Sequence, residues 1–176
     1  MVTAVHGGPG AVAYDVAAGT PDPELPMLTV ADLGILRAVD VTTDGVQVTI
    51  TPTYSGCPAM REISADIARR LARAGFSDVT VRTQLAPAWT SDWITADGRR
   101  KLSEAGIAPP PAAPSRSAAP RRHGPVPLTL GLPAAAPCPR CGSARTRRTA
   151  EFSATACKSL YRCEECGEPF ESVKPL

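Results

Sequence analysis

No apolar run in the 176 residues approaches the roughly 20 that a membrane helix needs. A membrane-spanning role is therefore not expected. The opening Met-Val-Thr-Ala-Val-His-Gly-Gly-Pro-Gly lacks the basic and apolar regions of a secretory signal, so the expected location is the cytoplasm. Net charge is also scarce, since 19 Lys/Arg against 17 Asp/Glu leave a formal +2. Substantial affinity for phosphate backbones takes several clustered basic contacts, so charge does not argue for nucleic acid. The two histidines, His6 and His123, lie in Pro/Gly-rich segments that give no framework for a catalytic base. A thiol enzyme would need such a base and a group to orient it. Nor is there a Glu-x-x-His pair of the kind that binds a di-iron centre in a helix bundle.

Proline and cysteine are what the chain has in plenty. Nine of its 19 prolines fall between Pro109 and Pro137, in a stretch otherwise made largely of Ala, Ser, Gly and Arg. Such a segment favours an extended, solvated chain and reads as a semi-rigid linker. Five of the six cysteines lie beyond it and one, Cys57, before it. In the cytoplasm they are expected to bind metal or react rather than form disulfides. The organisation expected is residues 11–108 as one module, 109–137 as the linker and 138–176 as a second module. Charge follows the same division, with nine basic against twelve acidic residues in 1–108, three arginines in the linker, and seven against five in 138–176.

Along the first module, Ala11–Ala18 predicts a short helix ended by Gly19 and the prolines of Thr20–Pro26. Val39, Val41, Val46, Val48 and Ile50 alternate with polar residues across Asp44-Gly45, the pattern of a β-hairpin. Met60, Ile63, Ile67, Leu71 and Ala74 step by three and four among charged residues, which predicts an amphipathic helix ending at Gly75. Val79 and Val81 give a third strand, and Ala96–Ala105 a last helix stopped by Gly106. The fold class expected is α+β, a three-stranded sheet with flanking helices in the order αββαβα.

Cys57 is the residue of chemical interest in this module. Pro58 suits the first helical position, which places Cys57 at the N-cap, where unpaired amides and the helix dipole lower a thiol pKa. Gly56 leaves space for a ligand or metal to approach. A small structural thiol at a helix start is the competing interpretation. Asp22 and Glu24, set among prolines, either present carboxylates from a rigid loop or form a solvated turn. Asp32 is placed to cap a turn through Leu33 and Gly34, and Trp89 and Trp93 are expected in the core or an interface.

The second module carries the strongest motif. Cys138-Pro-Arg-Cys141-Gly142 and Cys163-Glu-Glu-Cys166-Gly167 are paired Cys-x-x-Cys knuckles. Two-residue spacing lets both thiolates of a knuckle reach one ion, and four thiolates close a tetrahedral shell suited to structural zinc. A four-Cys iron site is the alternative occupant. Expected strands at Arg147–Phe152, Ser159–Arg162 and Pro169–Val173 describe a small C-terminal zinc ribbon, with Phe152, Leu160, Tyr161 and Phe170 as its apolar packing. So short a segment needs the metal to fold. Cys157 stays outside the tetrad, on an expected strand. The ribbon arginines Arg140, Arg145, Arg147, Arg148 and Arg162 are the only support for a nucleic-acid adaptor.

The stretches Asp22-Pro-Glu-Leu-Pro, Ala31-Asp-Leu-Gly-Ile35, Thr51-Pro-Thr-Tyr-Ser-Gly-Cys-Pro58, Pro87-Ala-Trp-Thr-Ser-Asp-Trp-Ile94 and Gly106-Ile-Ala-Pro-Pro110 resemble the PaaD (PaaJ) family, as does the ending Ser153–Phe170. The first module alone resembles SufT-like iron–sulfur assembly domains, whose Asp-Pro-Glu loop and cysteine before the second main helix map onto Asp22, Glu24 and Cys57. The resemblance implies a non-catalytic accessory subunit of phenylacetyl-CoA epoxidase in phenylacetate catabolism. It further implies transient handling of iron or an iron–sulfur cluster by Cys57 with Asp22 or Glu24, directed at the iron–sulfur reductase component. Ligands from a second copy, in a homodimer, or from the client would complete the site.

Overall fold

A computed structural model describes residues 8–54, 56–111 and 136–175. His6, His123 and most of the expected linker lie outside these residues. Contacts divide the chain into two units, one reaching Ala105 and the other running Gly106–Pro175.

In the first unit, α1 (Pro9–Ala18) opens with a proline in its first turn and buries Ala13 and Ala17. The antiparallel hairpin follows as β1 (Leu36–Thr42) and β2 (Gly45–Ile50), with its two-residue turn at Thr43-Asp44, one residue earlier than the expected Asp44-Gly45. Val46, Val48 and Ile50 form its buried face. The amphipathic helix is α2 (Ala59–Arg73), with Ala59, Ile63, Ile67 and Leu71 buried. Ala74, counted in the apolar stripe, is exposed just past its end. A parallel partner cannot be reached by a tight turn, so α2 serves as the crossover to β3 (Val79–Thr83), which pairs in parallel with β2. The sheet order is β1-β2-β3. After a 3-10 turn at Ser91–Trp93, α3 (Ala96–Glu104) completes the order αββαβα.

The two tryptophans do not share a helical face. Trp89 is buried in a loop and its Nε1 donates to the Leu33 carbonyl at 2.8 Å. Trp93 receives the Arg37 guanidinium 3.6 Å from its ring centroid. Gly34, at φ +67°, lies so close to Trp93 that a Cβ would meet the Trp93 Cβ and carbonyl oxygen at 2.6 Å. Asp32 caps the turn upstream of the expected one, accepting the Thr29 amide at 2.9 Å while the Thr29 hydroxyl accepts the Asp32 amide at 3.1 Å. Its Oδ2 also pairs with Lys101 at 2.8 Å. Burial alone would raise this carboxyl, but the hydrogen bonds from Lys101 and Thr29 hold it below the ordinary 3.8.

The second unit is a four-stranded sheet of order β4-β7-β6-β5. Its strands are β4 (Ile107–Ala108), β5 (Thr146–Ala150), β6 (Lys158–Cys163) and β7 (Pro169–Val173). Three match the expected ribbon. The fourth lies in the stretch expected to close the first module at residue 108, yet Ile107 and Ala108 pair in parallel with Glu171 and Ser172, so the division falls before Gly106. Tyr161 and Phe170 stack at 5.6 Å inside a buried cluster with Ala108, Ala136, Cys138 and Cys163. Phe152, expected in that packing, is 64% exposed beyond the end of β5, with the Lys174 ammonium 3.8 Å above its ring.

Candidate functional site

The first unit brings together the three residues singled out in its sequence. The loop carrying Asp22 and Glu24 is closed by a bridge between Pro21 and Thr29 and by the Asp22 amide donating to the Leu28 carbonyl at 2.9 Å. Inside it, Asp22 Oδ1 accepts the amides of Glu24 and Leu25, each at 2.8 Å. This Asx turn commits one carboxylate oxygen to the loop and buries the residue. Asp22 is thus a loop organiser, while Glu24 is half-buried.

Cys57 stands immediately before Pro58, which is itself the N-cap of α2 at φ −67° and ψ −25°, so the thiol lies one residue ahead of the cap position expected for it. Its amide donates to the Tyr54 carbonyl at 3.1 Å, and its own carbonyl accepts from the Met60 amide at 3.4 Å. Among the described residues the space beside Gly56 is open, because a Cβ there would meet only the Tyr54 ring, at 3.8 Å or more.

The expected fall in the Cys57 pKa is reversed. Burial pushes the thiol above its ordinary 9.0, and the negative charges of Glu24 and Asp22 push it further. Hydrogen bonds from the Ala59 amide and with the Thr53 side chain act the other way without prevailing. The helix start does supply a stabilising N–H, that of Ala59, the first residue of α2. The two carboxylates act on the thiol only once the chain has folded, so local position does not reveal them. Thr53 was also missed, and its only signal was a place four residues ahead of Cys57. Two further threonines flank these segments, Thr20 and Thr51, whose buried hydroxyls find no hydrogen-bond partner among the described residues.

The second unit builds a separate cluster. The Sγ atoms of Cys138, Cys141, Cys163 and Cys166 all lie within 4.8 Å of one another. Each knuckle turns through a glycine at positive φ, Gly142 at +73° and Gly167 at +77°, whose amide donates back to Cys138 at 2.9 Å or Cys163 at 3.1 Å. Sulfur separations are 3.8 Å for Cys138–Cys166 and 3.6 Å for Cys141–Cys163. A tetrahedron with Zn–S bonds of about 2.3 Å has edges of about 3.8 Å, so the donor set fits a four-coordinate zinc. The Cys163 thiol is drawn down to about 7, chiefly by the Cys166 amide and then that of Glu165, so one thiolate is at hand near neutral pH. Cys157 is outside the cluster, half-buried in the turn before β6, with its Sγ 3.1 Å from the Thr155 hydroxyl.

Comparison with known proteins agrees with both halves. Residues 18–82 match the family model described as iron-sulfur cluster assembly protein, and residues 122–174 match that described as PaaD zinc beta ribbon domain. A domain of unknown function, DUF59, from Bacillus anthracis superposes with a TM-score of 0.50 at 22% identity, covering 53% of this chain and 90% of that one. A conserved hypothetical protein from Thermotoga maritima superposes at 0.44 with 25% identity, over 51% of this chain and 89% of its own. The first of these supports the α+β fold. A protein of Escherichia coli strain K12 described as one of the subunits of 1,2-phenylacetyl-CoA epoxidase is 44% identical over 154 residues, which span 88% of this chain and 86% of the relative. No helix among the described residues is long and apolar enough to cross a membrane. With an assembly-type unit, a four-cysteine ribbon and a relative matched over most of both chains, this chain belongs to the PaaD family of phenylacetyl-CoA epoxidase subunits.

Proposed function

We propose that the chain is a non-catalytic accessory subunit that passes iron or an iron–sulfur cluster to the epoxidase complex, with the iron–sulfur reductase component as its client. The observation that carries this is that the carboxylates of Glu24 and Asp22, both hard donors, lie within electrostatic reach of the soft Cys57 thiol, with one Asp22 oxygen already committed to its loop. Thiolate and carboxylate together suit iron as cargo. One thiol cannot hold a cluster alone, so the remaining ligands come from the client or from a second copy in a homodimer. Transfer fits such a site better than storage.

The ribbon has a separate part. Cys138, Cys141, Cys163 and Cys166 hold the zinc, which supplies folding free energy to a unit with a small core. The folded ribbon then docks the client, and nucleic acid has no role. Grouped thiols rather than disulfides suit a reducing compartment, which supports the cytoplasm as the place of action.

The test is to co-express the epoxidase components with the wild-type chain or with Cys57→Ser and measure iron and sulfide in the reductase together with ring epoxidation. Reduced cluster occupancy with Cys57→Ser is expected. Full occupancy and normal turnover with that variant would remove the assembly role.

A further inference from the structure

The five ribbon arginines that alone suggested an anionic partner are not equivalent. Arg140 lies 2.9 Å from Glu168, Arg145 lies 2.9 Å from Glu165, and Arg148 lies 2.7 Å from Glu151. Arg147 and Arg162 form no ion pair among the described residues, and no Asp or Glu falls outside those residues. Two cations are therefore left over.

They are also neighbours. Arg147 stands directly opposite Arg162 in the antiparallel β5–β6 ladder, so both project from the same face, and both are exposed. Directly opposed residues have Cβ atoms about 4.5–5.5 Å apart, and like charges in that position repel. Their register is fixed by the adjoining pair Thr146–Cys163, whose cysteine belongs to the tetrad. An anion held between them would turn the repulsion into attraction. The same two side chains, with Cys163, Glu164 and Gly167, line a recess of about 260 Å³. Glu164, the one carboxylate of that lining, forms no ion pair with either arginine among the described residues, so both guanidinium groups stay open to a ligand at the mouth of the recess.

We propose that this recess is a docking site for an acidic segment of a protein partner, whose Asp or Glu side chains engage the guanidinium groups of Arg147 and Arg162. A planar guanidinium takes a carboxylate through two parallel hydrogen bonds, which gives orientation as well as attraction. A peptide is favoured over nucleic acid by the extent of the charge. Two free cations flanked by neutralised arginines do not provide the run of phosphate contacts that backbone binding takes. The proposal deepens the docking role given to the ribbon above and rests on it. Its test involves no iron, so its failure and the failure of cluster transfer at Cys57 are read separately.

The experiment follows fluorescence anisotropy of a fluorescein-labelled hexaglutamate peptide titrated with the full-length, zinc-loaded chain at low salt, with zinc content measured for every variant. Arg147→Gln/Arg162→Gln should weaken binding about tenfold or more, while Arg140→Gln/Arg145→Gln should stay within about threefold. Arg147→Lys/Arg162→Lys keeps the charge and loses the fork, so it should fall between the two; it also decides the question should the glutamine pair fail to load zinc. No binding by the wild-type chain, or equal losses in both glutamine pairs, would overturn the proposal. So would displacement of the peptide by millimolar inorganic phosphate, which marks a small-anion site, or tighter binding of hexathymidylate through the same arginines.

Discussion

Stripping zinc should unfold the ribbon while leaving the first unit intact. The four sulfurs converge within 4.8 Å, and the buried cluster beside them comprises Ala108, Ala136, Cys138, Tyr161, Cys163 and Phe170, two of which are themselves ligands of the site. A core in a unit of fewer than roughly 70–80 residues supplies no more than about 3–5 kcal/mol. An ion bound only by the folded form adds RT ln(1 + [L]/Kd), about 4.1 kcal/mol when free zinc stands at 1,000 times Kd. A cluster of six residues, two of them ligands, falls well short of the ceiling for a core, so the zinc contribution exceeds what the core alone supplies and its loss takes the ribbon below the folding threshold. Amide hydrogen exchange on the full chain, with and without a strong chelator, separates the units. Amides of β6 (Lys158–Cys163) and β7 (Pro169–Val173) should lose protection and regain it when zinc returns, while those of β2 (Gly45–Ile50) should not change. Unchanged protection in β6 with the metal demonstrably gone would refute the argument that the ion holds the ribbon together.

Three other outcomes follow from the first unit. Gly34→Ala meets both a positive φ of +67° and the Trp93 backbone at 2.6 Å, whereas Gly75→Ala at φ +92° meets nothing within 4 Å. Urea denaturation should show a loss of roughly 2–5 kcal/mol for the first and about 1–2 kcal/mol for the second, and equal losses would contradict the close approach. Glu24→Gln removes a charge that raises the Cys57 thiol, so alkylation of Cys57 by iodoacetamide at pH 8, followed by mass spectrometry, should speed up; an unchanged or slower rate would show that Glu24 does not act on the thiol. Lys101→Met deprives Asp32 of the partner that holds its carboxyl below 3.8 and should cost about 1 kcal/mol at pH 7. That stabilisation is present above the unfolded carboxyl pKa of about 3.9 and is lost as pH falls through the lower folded value. The gap between variant and wild type should therefore close below pH 4, and a gap persisting to lower pH would tie it to packing.

What could be read from the chain is what local pattern encodes. The i, i+4 spacing of Ile63, Ile67 and Leu71 gives α2 whatever surrounds it, and alternation across Asp44-Gly45 gives the hairpin. Knuckle spacing likewise identifies the tetrad, because Cys-x-x-Cys brings its own two sulfurs together and only the pairing of knuckles needs the fold. Strand β4 escaped because two residues carry no period and their partners, Glu171 and Ser172, are distant in sequence. Phe152 was misplaced because an aromatic residue at a strand end reads as core, and only the end of β5 at Ala150 shows that it lies beyond the packed ladder. Asp22 was left open for a third reason. Its residue type allowed either a presented carboxylate or a turn, and the two amides on Oδ1 show that a buried turn forms.

The Cys57 thiol changes what kind of site the first unit offers. A helix start acting alone would leave a ready thiolate, open to oxidation and alkylation whenever no cargo is bound. Burial and the charges of Glu24 and Asp22 instead keep the proton on sulfur. On the proposed function, the arrival of iron reverses both electrostatic contributions, since the cation neutralises the carboxylates and displaces the thiol proton. Loading is then coupled to proton release, and the affinity is reduced by the work of removing that proton. A storage site would lose by this arrangement, because its cargo is held less firmly at the pH where it works. A transfer site gains twice, since the empty thiol is protected between clients and the loaded one gives up its iron when a stronger set of thiolates comes within reach.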